Sequence, residues 1–322
     1  MAKSRESKLN CLIAVDKPCG CTSHDVVYRV RRAVGERRVG HAGTLDPDAS
    51  GVMVVGIGAA TRLLGLLTAD TKSYCAQIEF GSETDTDDAE GEVTRTAEVA
   101  ACLSNPEYAA QVCAEMVGRQ LQVPPAFSAI SVNGVRSYKA AREGKTVELA
   151  ARPIEVYAAV LLNVDTIDGK VVWNVAFSVS KGTYIRALAR DLGRKVGSAA
   201  HLCGLRRNSS GKVSLGDCLS LDELSADVAL EHALDPVKAL DLDIIELGMD
   251  ALEDIRCGRT ISKRKFSAAA EHLLEKDSSY IDEPKRVALL INRRLYALAY
   301  FDGFCLKMKE VFPSSIEGVV SE

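Results

Sequence analysis

Aromatic side chains are scarce in this chain, 5% of 322 residues with a single tryptophan. That argues against a ring-stacking platform as the main means of recognition. Long apolar runs are absent as well. No charge-free stretch reaches the roughly 18 residues of a membrane-crossing helix, and the longest, residues 120–135, is interrupted by Pro124 and Pro125. The apolar run at 9–15 lies between Lys8 and Asp16 and lacks an Ala-x-Ala site, so no signal peptide is expected and the expected compartment is the cytoplasm. There is no Cys-x-x-Cys pair, and the five histidines do not fall at ligand spacing from cysteines, so no metal is expected. Neither a G-x-x-x-x-G-K-[ST] nor a G-x-G-x-x-G motif occurs, which leaves no expected nucleotide cofactor. The ten cysteines are expected as small reduced thiols, buried or half-buried, because a chain this long builds its own core without disulfides.

What is present is an ordinary globular composition, 47% apolar and 26% charged, in a chain long enough for one large domain and a smaller one. The net charge of −4 hides a strong segregation. Residues 1–45 carry nine Lys/Arg against four acids, and residues 181–212 carry eight against one. Residues 79–98 reverse this with eight acids and one arginine, and residues 216–255 hold twelve acids and only Lys238. A single charge run is most often a solvated face, but this pattern predicts a basic face for a polyanion and an acidic back.

Residues 11–16 read as a buried strand, followed by a helix from Thr22 or Ser23 to about Ala33 with Val26, Val27, Val30 and Ala33 on one face. Residues 52–57 and 73–80 read as strands around a short helix at 61–67, and 81–91 as an acidic loop. Residues 98–121 are expected to be mostly helical up to Pro124-Pro125. A short strand at 130–135 with an Asn133-Gly134 turn signal and a basic helix from 137 to 142 follow. Strands at 154–165 and 170–179 are joined at Asp168-Gly169, then come a helix at 183–196 capped by Thr183 and a strand entered through 200–207. The acidic stretch 217–242 reads as helical with Pro236 as punctuation, and 286–291, 295–301 and 306–311 as closing strands.

Three places could carry chemistry. In Gly40-His41-Ala42-Gly43-Thr44-Leu45-Asp46-Pro47-Asp48-Ala49-Ser50-Gly51, glycines and a proline fix an unusual turn, and Pro47 keeps Asp46 out of helical conformation. Without context, an aspartate in such a turn is more often an Asx turn or a cap than a nucleophile. In Lys181-Gly182-Thr183-Tyr184-Ile185-Arg186, an arginine in the first turn of a helix opposes the macrodipole, which calls for an anionic partner, a surface salt bridge being the plainer account. In Lys72-Ser73-Tyr74, period 2 puts Lys72 and Tyr74 on one face of a strand, where a tyrosine alone would more often be core.

Together these stretches resemble the TruB family of tRNA pseudouridine synthases. Val15-Asp16-Lys17-Pro18, Thr22-Ser23-His24-Asp25, the Gly40–Pro47 motif with Ser50-Gly51-Val52, and Lys72-Ser73-Tyr74 match in order. So do Thr84-Asp85-Thr86-Asp87 with Gly91, Pro124-Pro125-Ala126-Phe127-Ser128-Ala129, Lys181–Arg186 and Leu205-Arg206-Arg207. The resemblance covers about residues 11–211. It implies an α/β (α+β) catalytic domain of the pseudouridine synthase fold over 1–240, with a central mixed, mainly antiparallel sheet. It also implies a thumb-like RNA-clamping insertion at about 124–150, a small β-rich PUA-like domain over 245–313 and a tail at 314–322. The match in this C-terminal part is loose, and residues 266–283 look inserted.

The implied activity converts uridine 55 in the T-loop of tRNA to pseudouridine, with no cofactor and with the T-arm stem-loop as partner of a monomeric enzyme. By the same resemblance Asp46 is the essential carboxylate, Tyr74 stacks on the uracil and takes part in proton transfer, and Arg186 holds the carboxylate ionised and oriented. Tyr184 and Leu205 line the base pocket, and His41 packs where the target base leaves its stack. Lys17, Arg29, Arg31, Arg32, Arg37, Arg38, Lys139, Arg142, Arg206 and Arg207 are candidates for the RNA backbone. Whether the carboxylate attacks C1′, attacks C6 or removes the C2′ proton stays open at this stage. Two other readings share the scaffold, a non-catalytic tRNA-binding protein and a guide-RNA-dependent relative. An Asp-nucleophile phosphotransferase is disfavoured because there the aspartate precedes the Gly-Thr pair.

Overall fold

A computed structural model describes residues 7–68, 71–128, 131–132, 135–136, 149–262, 265, 286–301 and 305–320. The chain divides into two compact units, Met1–Pro47 with Gly51–Ala69 and Ser210–Glu322, and Asp48–Ser50 with Asp70–Ser209. Expectations for the 137–142 helix, the Asn133-Gly134 turn, Lys139, Arg142 and the 266–283 segment lie outside the described residues.

In the first unit, strand Leu12–Lys17 runs antiparallel to the Gly51–Ile57 part of its neighbour, pairing Leu12 with Gly56 and Lys17 with Gly51. Val39–Ala42 covers the other edge of that neighbour, and Cys218–Leu219 pairs in parallel with Ala14 and Val15. The Ser23–Val34 helix begins in a capping box between Thr22 and Asp25 and ends at Gly35 in the left-handed region (φ 67°). Val26, Val27 and Val30 are buried as the spacing predicts, but Val34 completes the stripe in place of Ala33, which is only half-buried.

The C-terminal part of this unit is a five-stranded mixed sheet, ordered Asp243–Glu246, Arg286–Ile291, Arg294–Phe301, Cys305–Ile316, Ile261–Ser262. Its two interior strands, Arg286–Ile291 and the middle of Arg294–Phe301, are buried on both faces, which explains their apolar runs. Along Arg286–Ile291, Val287, Leu289 and Ile291 enter a core with Ile245, Ile255 and Leu306. The alternate residues Ala288 and Leu290 enter another core with Leu12, Ala14, Val52, Val54 and Phe312. The C-terminal strands and the strands beside the Gly43–Asp48 turn therefore share one core.

In the second unit, Lys72–Phe80 pairs antiparallel with Lys170–Val179, which pairs with Arg152–Ile167, which pairs with Gly118–Gln122. The described pairings make the central sheet mixed and mainly antiparallel, as expected. The Asp168-Gly169 hairpin forms with both residues at positive φ (50° and 78°), the geometry of a two-residue type I′ turn. Ser131–Val132 pairs with Val135–Arg136, so the single strand expected at 130–135 is a pair of short ones.

Other departures have local causes. The long helix expected over 98–121 shrinks to Pro106–Ala114, because Asn105 caps it through Glu107 and Tyr108 and Pro106 takes the first turn. Gly118, at φ 120°, then starts a strand. The 81–91 loop contains strand Ser82–Thr84, paired with Val93–Thr96. The acidic stretch 217–242 is helical only at Ala226–Glu231 and Pro236–Leu240. The helix of the Lys181–Arg186 motif is Ile185–Lys195, with Tyr184 and not Thr183 at its N-cap. The Thr183 hydroxyl meets Ser180 Oγ at 3.3 Å instead.

Candidate active site

The candidate residues fall in two sets, one in each unit. In the first, strand Val39–Ala42 delivers the chain to Gly43, whose left-handed φ of 78° begins the turn carrying Asp46. Leu45 is buried and Asp46 half-buried. The turn is held on both sides of the aspartate. The buried Ser23 Oγ donates to Leu45 O at 2.8 Å and accepts from Leu45 N at 2.9 Å. Pro47 O accepts from Gly20 N at 3.0 Å and from Lys17 Nζ at 2.9 Å. Gly20, at φ 80°, lets the 17–23 loop make that approach.

Lys17 is fully buried and also donates to Pro18 O at 3.0 Å, so its ammonium braces the turn from inside. His41 is half-buried, with its ring edge-on to His24 at 6.1 Å between centroids. Arg31, Arg32, Arg37 and Arg38 are exposed along and beyond the same helix. Arg31 Nη2 donates to Val39 O, Arg38 Nε donates to Thr61 Oγ1, and Arg29 pairs with Asp222 at 2.7 Å.

In the second unit, Tyr74 lies on the buried face of Lys72–Phe80 with Lys72, Ala76, Ile78 and Phe80, opposite Phe177 in register. The expected pairing of Lys72 and Tyr74 on one face holds. Tyr184 is half-buried at the N-cap of Ile185–Lys195, without a side-chain cap. Its backbone is held by Gln122, whose Oε1 accepts from Tyr184 N at 2.9 Å and whose Nε2 donates to Tyr184 O at 3.1 Å. Leu205 and Arg206 are half-buried, with Arg206 Nη1 3.2 Å from Ser50 Oγ, and Arg207 is fully buried.

Arg186 has the anionic partner its position called for. Its Nη1 donates to Thr86 O at 2.9 Å and to Asp88 Oδ2 at 3.2 Å, and its Nη2 donates to Phe127 O at 3.1 Å. One and two turns on, Arg190 pairs with Asp87 at 2.7 Å and donates to Val123 O, and Arg194 clamps Glu83 with two nitrogens. Three of the eight acids at 79–98 thus pair with three of the eight basic residues at 181–212. Those six charges do not add to a basic face or an acidic back, since a sequence sum does not register pairing across a fold. Burial pushes the Asp87 carboxyl up to about 6, with Arg190 opposing it. Burial also acts to raise Glu83, but hydrogen bonds from Arg194 and Arg95 outweigh it and hold the carboxyl below its usual range.

None of the ten cysteines, all among the described residues, forms a disulfide. Burial pushes the Cys11 thiol up to about 12 and that of Cys113 to about 11. No group of three or more His, Cys, Asp or Glu residues among those described is placed to hold a metal ion, and no described helix is long and apolar enough to cross a membrane. Sequence reasoning offered Ser23 only as a possible helix cap and motif residue, with no role at the Asp46 turn, and missed Gln122 altogether. The i, i+4, i+8 spacing of Arg186, Arg190 and Arg194 was the available signal for the arginine ladder.

Comparison with known proteins adds to this geometry. Residues 31–185 match the family model described as TruB family pseudouridylate synthase (N terminal domain). Residues 186–242 match the tRNA pseudouridylate synthase B C-terminal domain. The tRNA pseudouridine synthase B of Mycobacterium sp. (strain KMS) is 48% identical over 251 residues, 78% of this chain and 84% of that protein. Its counterpart in Paenarthrobacter aurescens (strain TC1) is 50% identical over 229 residues, 70% and 73% of the two chains. Among solved structures, an archaeal box H/ACA sRNP Nop10-Cbf5 complex aligns at a TM-score of 0.64 and 22% identity, covering 94% of this chain and 86% of that one. A Cbf5-Nop10-Gar1 complex aligns at 0.66 and 23%, covering 94% and 84%. At that identity these two likenesses speak for the fold alone.

Proposed function

This chain belongs to the TruB family of pseudouridylate synthases, and from that premise we propose that it isomerises uridine 55 in the T-loop of tRNA to pseudouridine. The observation that carries the reading is the Asp46 turn, with a carboxylate presented from a loop whose flanking residues are both held by buried or backbone donors. Such pre-organisation suits a group that must meet one reacting atom in one geometry.

The reaction is internally balanced. The bond from C1′ to N1 breaks, a bond from C1′ to C5 forms, the C5 proton leaves and N1 gains one. No oxidant, phosphoryl donor or nucleotide is consumed. Asp46 acts through its carboxylate on the flipped nucleotide, Tyr74 stacks on the uracil and supports proton transfer, and Arg186 is the third catalytic residue. Tyr184 and Leu205 line the base pocket, and His41 packs against the RNA where the target base leaves its stack. Extruding the base costs a few kcal/mol of unstacking. Phosphate contacts from exposed Arg31, Arg32, Arg37 and Arg38 offset that cost. The C-terminal β-rich part over 245–313 adds a PUA-like RNA contact, and the enzyme acts as a monomer in the cytoplasm.

The test is tritium release from a T-arm stem-loop transcript labelled at C5 of uridine, because the C5 hydrogen is lost only when C5 becomes the new attachment point. Release is expected from the transcript with uridine at position 55. Release only when the label sits at another uridine would overturn the site assignment, and no release from any tRNA transcript would overturn the activity on tRNA.

A further inference from the structure

We infer that Ser23 is a positioning residue for Asp46, acting through the backbone of Leu45; the inference rests on the catalytic reading of Asp46 above. One buried hydroxyl satisfies both polar backbone groups of Leu45, donating to the carbonyl at 2.8 Å and accepting from the amide at 2.9 Å. On the far side of Asp46, Pro47 O is held by Gly20 N and Lys17 Nζ. The carboxylate therefore springs from a single residue between two fixed points. The Pro47 bonds alone would leave a hinge at Leu45, and it is Ser23 that closes it.

The helix that carries Ser23 does not need this hydroxyl. Its N-terminus is capped by Thr22, whose Oγ1 accepts from Asp25 N, and Asp25 in turn accepts from Thr22 N. Ser23 occupies the first helical position with its hydroxyl turned to the loop, so capping and positioning are divided between neighbours. That division lets the two roles be tested apart. Without the hydroxyl, the Leu45 amide and carbonyl would be left unsatisfied beside a buried side chain, and the loop would shift to recover partners. A displacement of about 1 Å at a reacting group costs on the order of 100-fold in rate.

The experiment compares wild type, Ser23→Ala, Ser23→Thr, Thr22→Ala and Asp46→Asn on the T-arm stem-loop. It measures single-turnover rate at saturating RNA, RNA affinity and melting temperature. Ser23→Ala is expected to slow turnover roughly 10- to 100-fold with RNA affinity unchanged. Thr22→Ala should lower the melting temperature and keep the wild-type rate. Ser23→Thr, which retains the hydroxyl, should recover most of the rate lost in Ser23→Ala and answers the question even where the alanine variant does not fold. Ser23→Ala turning over at the wild-type rate while Asp46→Asn is inert would overturn the positioning role and leave the reading of Asp46 standing. Thr22→Ala slowed as much as Ser23→Ala, or Ser23→Thr slower than wild type by the full factor, would also overturn it. Turnover by Asp46→Asn would overturn the catalytic reading beneath it.

Discussion

Gln122 holds Tyr184 by two hydrogen bonds, one accepted from its amide and one donated to its carbonyl. A carboxamide offers an acceptor and a donor side by side, which suits both groups. Because Gln122 is buried, Gln122→Ala leaves both Tyr184 groups without that partner and is expected to cost about 1–3 kcal/mol of stability. The ring of Tyr184, read as part of the base pocket, should then be less well placed, so KM for the RNA should rise more than kcat falls. Urea unfolding and steady-state kinetics check both halves, and unchanged stability with unchanged KM would remove Gln122 from the account. Nothing in the local sequence marks this residue, since its partner lies 62 positions away. Lys17 teaches a related lesson. Its presence beside Pro18 was legible, but a lysine reads as a surface phosphate ligand until the fold shows its ammonium buried on Pro47 O.

Among the elements, helix Ile185–Lys195 does the most to organise its unit. Arg186, Arg190 and Arg194 tie it to Asp88, Asp87 and Glu83, and the first two also reach the carbonyls of Phe127 and Val123. The two carboxyls Asp87 and Glu83 are shifted in opposite directions, so they leave opposite signatures in pH. Glu83, held low, contributes stability above its unfolded value that is lost only as pH falls through its depressed folded value. Asp87, raised by burial to about 6, favours the folded state below its unfolded value of 3.8, and that contribution is lost as pH rises from about 4 to about 6. Asp87→Asn, which keeps an oxygen for Arg190 but does not titrate, should lack this slope. The free-energy difference between wild type and the variant is expected to move against wild type by on the order of 2–3 kcal/mol between pH 4 and 6.5. Equal pH dependence of the two proteins in urea unfolding would contradict the shift. The helix itself was legible in its periodicity. The destination of its arginines was not, because like-charge runs nearly a hundred residues apart carry no mark of pairing with each other.

For the whole molecule, the parts most legible in the sequence were those under local rules: the Ser23–Val34 helix with its cap, the Asp168-Gly169 hairpin, the period-2 face of Lys72–Phe80 and the turn around Asp46. Residues 286–291 and 295–301 were legible as apolar strands, but not that alternate residues serve two different cores. The helix expected over 98–121 failed because Asn105-Pro106 and Gly118 punctuate it more strongly than its composition favours it. Double-sided burial joins the C-terminal strands to the core of the Leu12–Lys17 strand, and that strand ends at Lys17, which braces the Asp46 turn. The account thus centres on one carboxylate held in place by its surroundings. Its most direct test is pseudouridine formation and RNA binding by wild type and Asp46→Asn on a T-arm stem-loop. The account predicts pseudouridine at the T-loop uridine from wild type, and a variant that binds the RNA with like affinity but makes none. Pseudouridine made by the variant at the wild-type rate would contradict it.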